Sequence, residues 1–288
     1  MLAPAKINLA LHVTGQRADG YHLLDSLVVF ADTGDRLSLT QGGTGENRLA
    51  LSGPYGGAVP AGADNLALRA LALIGARGVV LHLDKRLPPA SGMGGGTADA
   101  AAALRLAAAA QGLSLPDRAA QMGLGADLPV CLAAPHPARM QGLGEQVSPL
   151  PGVPALWLVI ANPGHPLPTP QVFKALNDRQ NPGLPPFPAD GFADAPGFAA
   201  WLAGNTRNDL QPPASALMPT IPALLDRIAR QPGCLLARMT GSGATCFGVF
   251  DAKASADQAA RALAAPGHFV TACRSQPSRA QAGLRLLN

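Results

Sequence analysis

Residues 5–14 and 25–31 are apolar runs of strand length, and the polar turn Gln16-Arg17-Ala18-Asp19-Gly20 joins them. Residues 36–40 and 48–52 alternate apolar with polar and predict a second hairpin. Behind Asp64 and Asn65 the spacing becomes that of a helix over 66–75, with Asn65 placed to cap it. A short strand at 79–83 feeds a glycine-rich loop, and an alanine-rich helix follows over 97–111. Further helices are expected at 116–122, ending near 123–125, and from Ala126-Asp127-Leu128-Pro129 onward. A Pro/Gly-rich break at 150–154 precedes a strong strand at 156–160. We place a domain boundary there, dividing the chain into 1–152 and 153–288.

The proline-dense stretch 163–196 reads as an ordered but irregular excursion. Helices follow at 197–203, 215–218 and 221–231. Strands at 235–240 and 245–251 are split by Gly241-Ser242-Gly243, and a helix at 254–264 and a strand at 269–274 complete the pattern.

The loop Ser91-Gly92-Met93-Gly94-Gly95-Gly96-Thr97 carries the clearest chemistry. Glycines accept positive φ and have no Cβ, so successive backbone N–H groups can converge on one point. The helix that follows adds its unpaired first-turn N–H groups and the positive end of its dipole, which together suit a phosphate. No Gly-Lys-Ser/Thr triplet of a Walker loop occurs, and position 97 is Thr where a dinucleotide fingerprint has glycine. Protein-kinase signatures are also missing.

Composition narrows the partners. Apolar residues make up 48% of the 288 and charged residues 14%, which supplies a core and argues against disorder. The net charge of +4 has no basic run behind it, so it suits a small anionic substrate better than nucleic acid. Four scattered cysteines lack metal-ligand spacing and imply free thiols in a reducing, cytoplasmic setting, with no metal site of their own. No apolar run is long enough to span a membrane.

Pro4-Ala5-Lys6-Ile7-Asn8-Leu9, the turn ending Asp19-Gly20-Tyr21-His22, the glycine loop, Gly125-Ala126-Asp127-Leu128-Pro129 and Thr240-Gly241-Ser242-Gly243-Ala244-Thr245 occur in a telling order. Over nearly its whole length the chain resembles the GHMP kinase superfamily of galactokinases, homoserine kinases, mevalonate kinases and phosphomevalonate kinases. Asp-Gly-Tyr-His joined to the Lys-Ile-Asn-Leu start resembles the branch acting on the cytidine diphosphate ester of methylerythritol.

The resemblance implies an α+β fold of two domains with the active site between them. The N-terminal α/β domain would hold a left-handed βαβ crossover, and the C-terminal domain would be ferredoxin-like. It also implies ATP with Mg²⁺ as phosphate donor. Other GHMP small-molecule kinases, of mevalonate or homoserine type, and a non-catalytic nucleotide-binding regulator are the alternatives. The first would lack the cytidine pocket, and the second would lack Asp127 or Lys6.

By the same resemblance Asp127 and Lys6 are the catalytic pair, a carboxylate that takes the hydroxyl proton beside an ammonium that keeps it ionised. From the residues alone, Asp127 reads as well as a helix cap and Lys6 as a solvated strand end. Ser91, Gly92, Gly94, Gly95, Gly96 and Thr97 are implied to hold the nucleotide phosphates, and Asn65 and Lys85 to lie near the adenosine. Thr97 serves equally as an N-cap, Asn65 as a cap and Lys85 as an exposed strand-end lysine. Tyr21, His22 and Phe173 are implied to line the cytidine pocket, with Asn8, Asp19 and Thr169 as further polar contacts. For Phe173, core packing is the plain alternative.

The chain departs from the superfamily loop at Ala90-Ser91, at Met93, and at Thr97-Ala98, where two serines are usual.

Overall fold

The structure is a computed structural model and describes residues 1–43 and 45–278. Residues 279–288, the end of the expected second domain, lie outside the described residues. β1 (Leu2–Gln16) and β2 (His22–Gln41) form a long antiparallel hairpin, so the two predicted strands extend well beyond their apolar runs. Along its other edge β2 pairs β5 (Ala138–Gly142) through residues 24–28 and β4 (Val79–Asp84) through 36–41. β6 (Gln146–Pro149) extends β5, and β3 (Arg48–Ser52) lies parallel to β4, giving the order β3-β4-β2-β5-β6 with β1 on β2.

The second hairpin expected from 36–40 and 48–52 does not form. Residues 36–40 continue β2, and β4 inserts between β2 and β3. Alternation fixes which face of a strand is buried, not which strand lies beside it. The chain passes from β3 through α1 (Leu66–Leu73) to β4, a parallel strand–helix–strand unit.

α2 (Gly95–Gln111) lies on this sheet and against α1, burying Ala98, Ala100, Ala101, Ala102, Ala103, Leu104 and Ala107. Alanines on that face let the helix axis come close to strand and helix neighbours alike. α3 (Arg118–Leu124) and α4 (Leu128–Cys131) follow.

The second sheet has β7 (Trp157–Asn162), β8 (Cys234–Met239), β9 (Cys246–Phe250) and β10 (Phe269–Arg274) in the order β10-β7-β9-β8, antiparallel throughout. Helices α5 (Thr169–Lys174), α6 (Ala195–Asn205), α7 (Gln211–Leu217) and α8 (Thr220–Ala229) lie between β7 and β8, and α9 (Lys253–Leu263) between β9 and β10. This is the β-α-β-β-α-β order of a ferredoxin-like unit. The stretch 163–196 is not wholly irregular, because it contains α5.

β1 joins the two sheets. Ile7 and Leu9 sit in one core with Leu158, Ile160, Phe198 and Phe247. Irregularities in the β1–β2 register between Pro4 and Lys6 and between Asn8 and Ala10 bracket a short regular stretch. Over that stretch, Lys6 to Asn8, successive side chains alternate sides, so Lys6 and Asn8 point away from the side that Ile7 takes.

Candidate active site

The glycine loop is held from behind. A Cβ on Gly92 would stand 2.6 Å from the Gly243 carbonyl oxygen, and one on Gly241 2.6 Å from that of Gly92. The Gly-Ser-Gly turn and the phosphate loop thus meet backbone to backbone, and at these two points only glycine fits. Thr245 Oγ1 donates to the Ser91 carbonyl at 2.5 Å, and the Lys6 N–H donates to that of Met93 at 3.0 Å.

Gly94, at φ +65°, is the N-cap of α2. The first ladder bond runs from Ala98 N–H to Gly94 O, so the N–H groups of Gly95, Gly96 and Thr97 precede the ladder. α2 therefore starts two residues before its predicted first residue, and Thr97 is not the cap. Its hydroxyl donates to Gly94 O at 2.8 Å.

Across the loop lies the pair Lys6 and Asp127. Lys6 is buried, not a solvated strand end, and its Nζ lies 3.0 Å from Asp127 Oδ2 and donates to Asn8 Oδ1 at 2.8 Å. Asp127 occupies the N-cap position of α4 but makes no capping hydrogen bond, and its side chain is 30% exposed. The reading of Asp127 as a helix cap is therefore excluded by the geometry. Lys6, Asn8, Ser91, Gly92, Gly94, Gly95, Gly96, Thr97, Asp127, Thr169, Phe173 and Ser242 all face one cleft of about 390 Å³.

Lys85 is not an exposed strand-end lysine either. It is buried beneath the loop, 2.5 Å from Asp35 Oδ2 and 2.7 Å from Asp99 Oδ2. Asp35 also accepts the N–H groups of Arg86 and Leu87, at 2.6 and 2.8 Å, and so ties the segment that leads from β4 into the loop. Asp99 Oδ1 has no hydrogen-bond partner. Burial, with Asp35 close by, pushes the Asp99 carboxyl up to about 7, while the two carboxylates raise Lys85 against the effect of its own burial.

Lys85 and Asp99 line a second cavity of about 250 Å³ with Asn65, Leu66 and Pro89, and Gly95 and Gly96 separate it from the first. Asn65 caps α1 by accepting from Ala67 N–H, as its sequence position implied.

The remaining predicted residues divide. His22 stacks on Phe173 with ring centroids 4.8 Å apart, and Phe173 reaches the cleft. Burial and the nearby Arg179 lower the His22 pKa, and its Nε2 is left without a hydrogen-bond partner. Tyr21 is exposed at the end of the β1–β2 turn, and Asp19 pairs with Arg17 and accepts the Tyr21 N–H. Neither Tyr21 nor Asp19 lines the cleft in this conformation. Thr169 and Ser242 share a 2.7 Å hydrogen bond on its rim.

Residues 65–134 match the sequence family described as GHMP kinases N terminal domain, and residues 190–268 match GHMP kinases C terminal. A 4-diphosphocytidyl-2-C-methyl-D-erythritol kinase of Dinoroseobacter shibae is 55% identical over 91% of this chain and 88% of its own. One of Brucella melitensis is 46% identical over 97% and 96%. The chain belongs to the GHMP kinase family.

The solved structure of a 4-(cytidine 5'-diphospho)-2C-methyl-D-erythritol kinase superposes on this GHMP kinase with a TM-score of 0.76 at 33% identity, covering 96% of this chain and 99% of that one. A homoserine kinase from Cytophaga hutchinsonii, 18% identical with a TM-score of 0.61, shares the fold. As a GHMP kinase the protein is a small-molecule phosphotransferase, and among its described residues no helix is long and apolar enough to cross a membrane.

Sequence reasoning missed Asp35 and Asp99. Asp99 left a signal, since it is a lone acid within an alanine-rich helix.

Proposed function

We propose that this GHMP kinase transfers the γ-phosphate of ATP to the 2-hydroxyl of 4-diphosphocytidyl-2-C-methyl-D-erythritol, a step toward isoprenoid precursors that bypasses mevalonate. The names and high identity of its relatives support the substrate, and the Lys6–Asp127 pair facing the glycine loop carries the chemistry. We take the division at residue 152 as part of this reading, with the cleft between the two halves.

Phosphoryl transfer needs an aligned hydroxyl, a proton acceptor and neutralisation of charge. Asp127 offers a carboxylate open to the cleft. Lys6 has three protons, and with Asn8 and Asp127 each taking one, the third is free for the reacting oxygens. The N–H groups of Gly95, Gly96 and Thr97 face phosphate, and the cavity holding Asn65 and Lys85 takes the nucleoside.

No group of three or more metal-ligating side chains occurs among the described residues. A Mg²⁺ bound with the nucleotide would offset the charge of its phosphates, and Thr97 and Asp127, which line the cleft beside the loop, are the side chains that would hold it. Phe173, which reaches the cleft, supplies a stacking face for cytosine, with the His22 ring stacked against it, while Tyr21 on the neighbouring turn lies outside the cleft.

ATP-dependent phosphorylation of the cytidine ester, compared with mevalonate, homoserine and galactose, tests the reading. Turnover confined to the cytidine ester is expected, and turnover of another alcohol alone overturns it. Phe173→Ala should raise KM for the ester by the loss of one stacking contact, about 1–3 kcal/mol, and leave KM for ATP in place.

A further inference from the structure

The Lys6–Asp127 pair depends on Asn8 presenting its carbonyl oxygen, and not its amide nitrogen, to Lys6. The two ends of an Asn side chain have nearly the same shape; Lys6, which can only donate, favours the oxygen, and the group on the other side of the amide decides whether that orientation is held. Asn8 Nδ2 donates to Ser26 Oγ at 2.7 Å, and Ser26 Oγ donates to the Ala10 carbonyl at 2.6 Å.

A hydroxyl has one proton, and a carbonyl can only accept. The Ser26 proton is thereby committed to Ala10, which leaves only a lone pair facing Asn8. The nitrogen of Asn8 must turn to Ser26 and the oxygen to Lys6. All three residues are buried, so water does not compete for these bonds. The register irregularity between Asn8 and Ala10 brings the Ala10 carbonyl and the Asn8 side chain to the same hydroxyl. The Asn8 backbone is fixed separately, its N–H donating to Thr240 Oγ1 at 2.8 Å.

We propose that Ser26 is a positioning residue for phosphoryl transfer, setting the orientation of the Asn8 amide and through it the aim of the Lys6 ammonium at Asp127. This rests on the reading of the cleft given above.

The test is a double-mutant cycle on kcat and KM with ATP and the cytidine ester, using wild type, Ser26→Ala, Ser26→Thr, Asn8→Ala and the Ser26→Ala/Asn8→Ala pair. Ser26→Ala should lower kcat about tenfold, the equivalent of about 1.4 kcal/mol, while KM for ATP changes less than about threefold. Ser26→Thr keeps the hydroxyl and should recover kcat. Because Ser26 acts through Asn8, its loss should add nothing in the Asn8→Ala background. Full kcat in Ser26→Ala, or an undiminished further loss in the double variant, overturns the proposal. Should Ser26→Ala fail to fold, Ser26→Cys keeps the branching and fills the site with a slightly larger, much weaker acceptor, and takes its place in the cycle.

The ¹⁵N–¹H signal of the Lys6 ammonium, one of only four lysines, gives a readout that needs no substrate. It should be sharp in wild type and Ser26→Thr and broadened in Ser26→Ala, and no change there also overturns the proposal. Absence of wild-type turnover would instead sink the substrate reading and leave this signal to judge Ser26.

Discussion

Two buried lysines flank the same glycine loop, and each is held by aspartate. Lys6 has one carboxylate, Asp127, which is 30% exposed to the cleft. Lys85 has two, Asp35 and Asp99, with side chains 0% and 5% exposed. The residue types are the same and the chemistry differs. In the first pair an accessible carboxylate and a spare ammonium proton remain for a reactant. In the second cluster two acids share one almost fully buried cation, and Asp35 spends its other oxygen on the N–H groups of Arg86 and Leu87 ahead of the loop. Solvent access and unspent hydrogen-bonding capacity, more than the presence of a Lys–Asp pair, separate the proposed reacting site from an anchor.

Removing the proton acceptor should separate the two most sharply. Asp127→Asn keeps the shape and breaks no cap, since α4 receives none from this side chain. We expect single-turnover phosphorylation at saturating ATP to fall by about 10²–10⁴-fold with little change in melting temperature. A retained rate with a lowered melting temperature would erase the contrast. Lys85→Met should do the opposite by leaving two buried carboxylates without a cation, at a cost of about 3–5 kcal/mol in chemical denaturation. Placing Lys85→Met in an Asp99→Asn background removes one of those charges, and the combined variant should be less impaired.

The buried cluster should also mark the pH dependence of stability. With its carboxyl raised to about 7, Asp99 holds a proton in the folded chain that the unfolded chain sheds near pH 4. Over pH 4–7 the folded state therefore binds more protons, and stability falls as pH rises, by at most about 1.4 kcal/mol per pH unit. Above that window Asp99 is ionised in both states and its contribution is flat. Lys85, raised above its ordinary value, loses its contribution only in strongly alkaline solution. Asp99→Asn has no such proton, so denaturation midpoints at pH 4.5, 5.5, 6.5 and 7.5 should show the variant gaining on wild type with each step. Parallel curves would mean that Asp99 stays ionised throughout.

The residues proposed to react could be named from motifs in the sequence, and the two acids of the anchoring cluster could not. Four glycines before an alanine-rich helix announce a cradle, and the β10 bounds coincide with the predicted 269–274. Asp127 and Lys6 stood inside motifs. The cluster around Lys85 joins residues 50 and 14 positions apart, on a strand and a helix whose own patterns say nothing of each other. The mistaken second hairpin has the same cause, because strand partners are chosen by the three-dimensional core and an alternating pattern is satisfied by several. The sequence left Thr97 open between a phosphate contact and a cap, and the cap falls away because a glycine in the left-handed region, Gly94, ends the loop without any side chain.

The smallest expected effects test the contrast at adjacent residues. Gly94 and Gly95 differ in what a methyl group would meet. A Cβ on Gly94 would stand 3.2 Å from Lys6 Cε and 3.4 Å from Asp127 Oδ2, and its φ of +65° disfavours any side chain. On Gly95 it would stand 3.1 Å from Lys85 Nζ and 3.6 Å from Asp35 Oδ2, with no positive φ to oppose it. Gly94→Ala should therefore cost about 1–2 kcal/mol for the left-handed backbone and also reduce turnover by displacing the reacting pair. Gly95→Ala gains up to about 1 kcal/mol in helix propensity, which offsets a slight push on the Lys85 ammonium, and its methyl points away from the phosphate cradle. We expect its net stability change to be under about 1 kcal/mol and its turnover loss to be smaller than that of Gly94→Ala. Stability by denaturation and kcat on the same preparations check both. A larger loss of turnover in Gly95→Ala would show that the cluster beneath the loop is coupled to the chemistry above it, and the distinction between anchor and reacting pair would have to be given up.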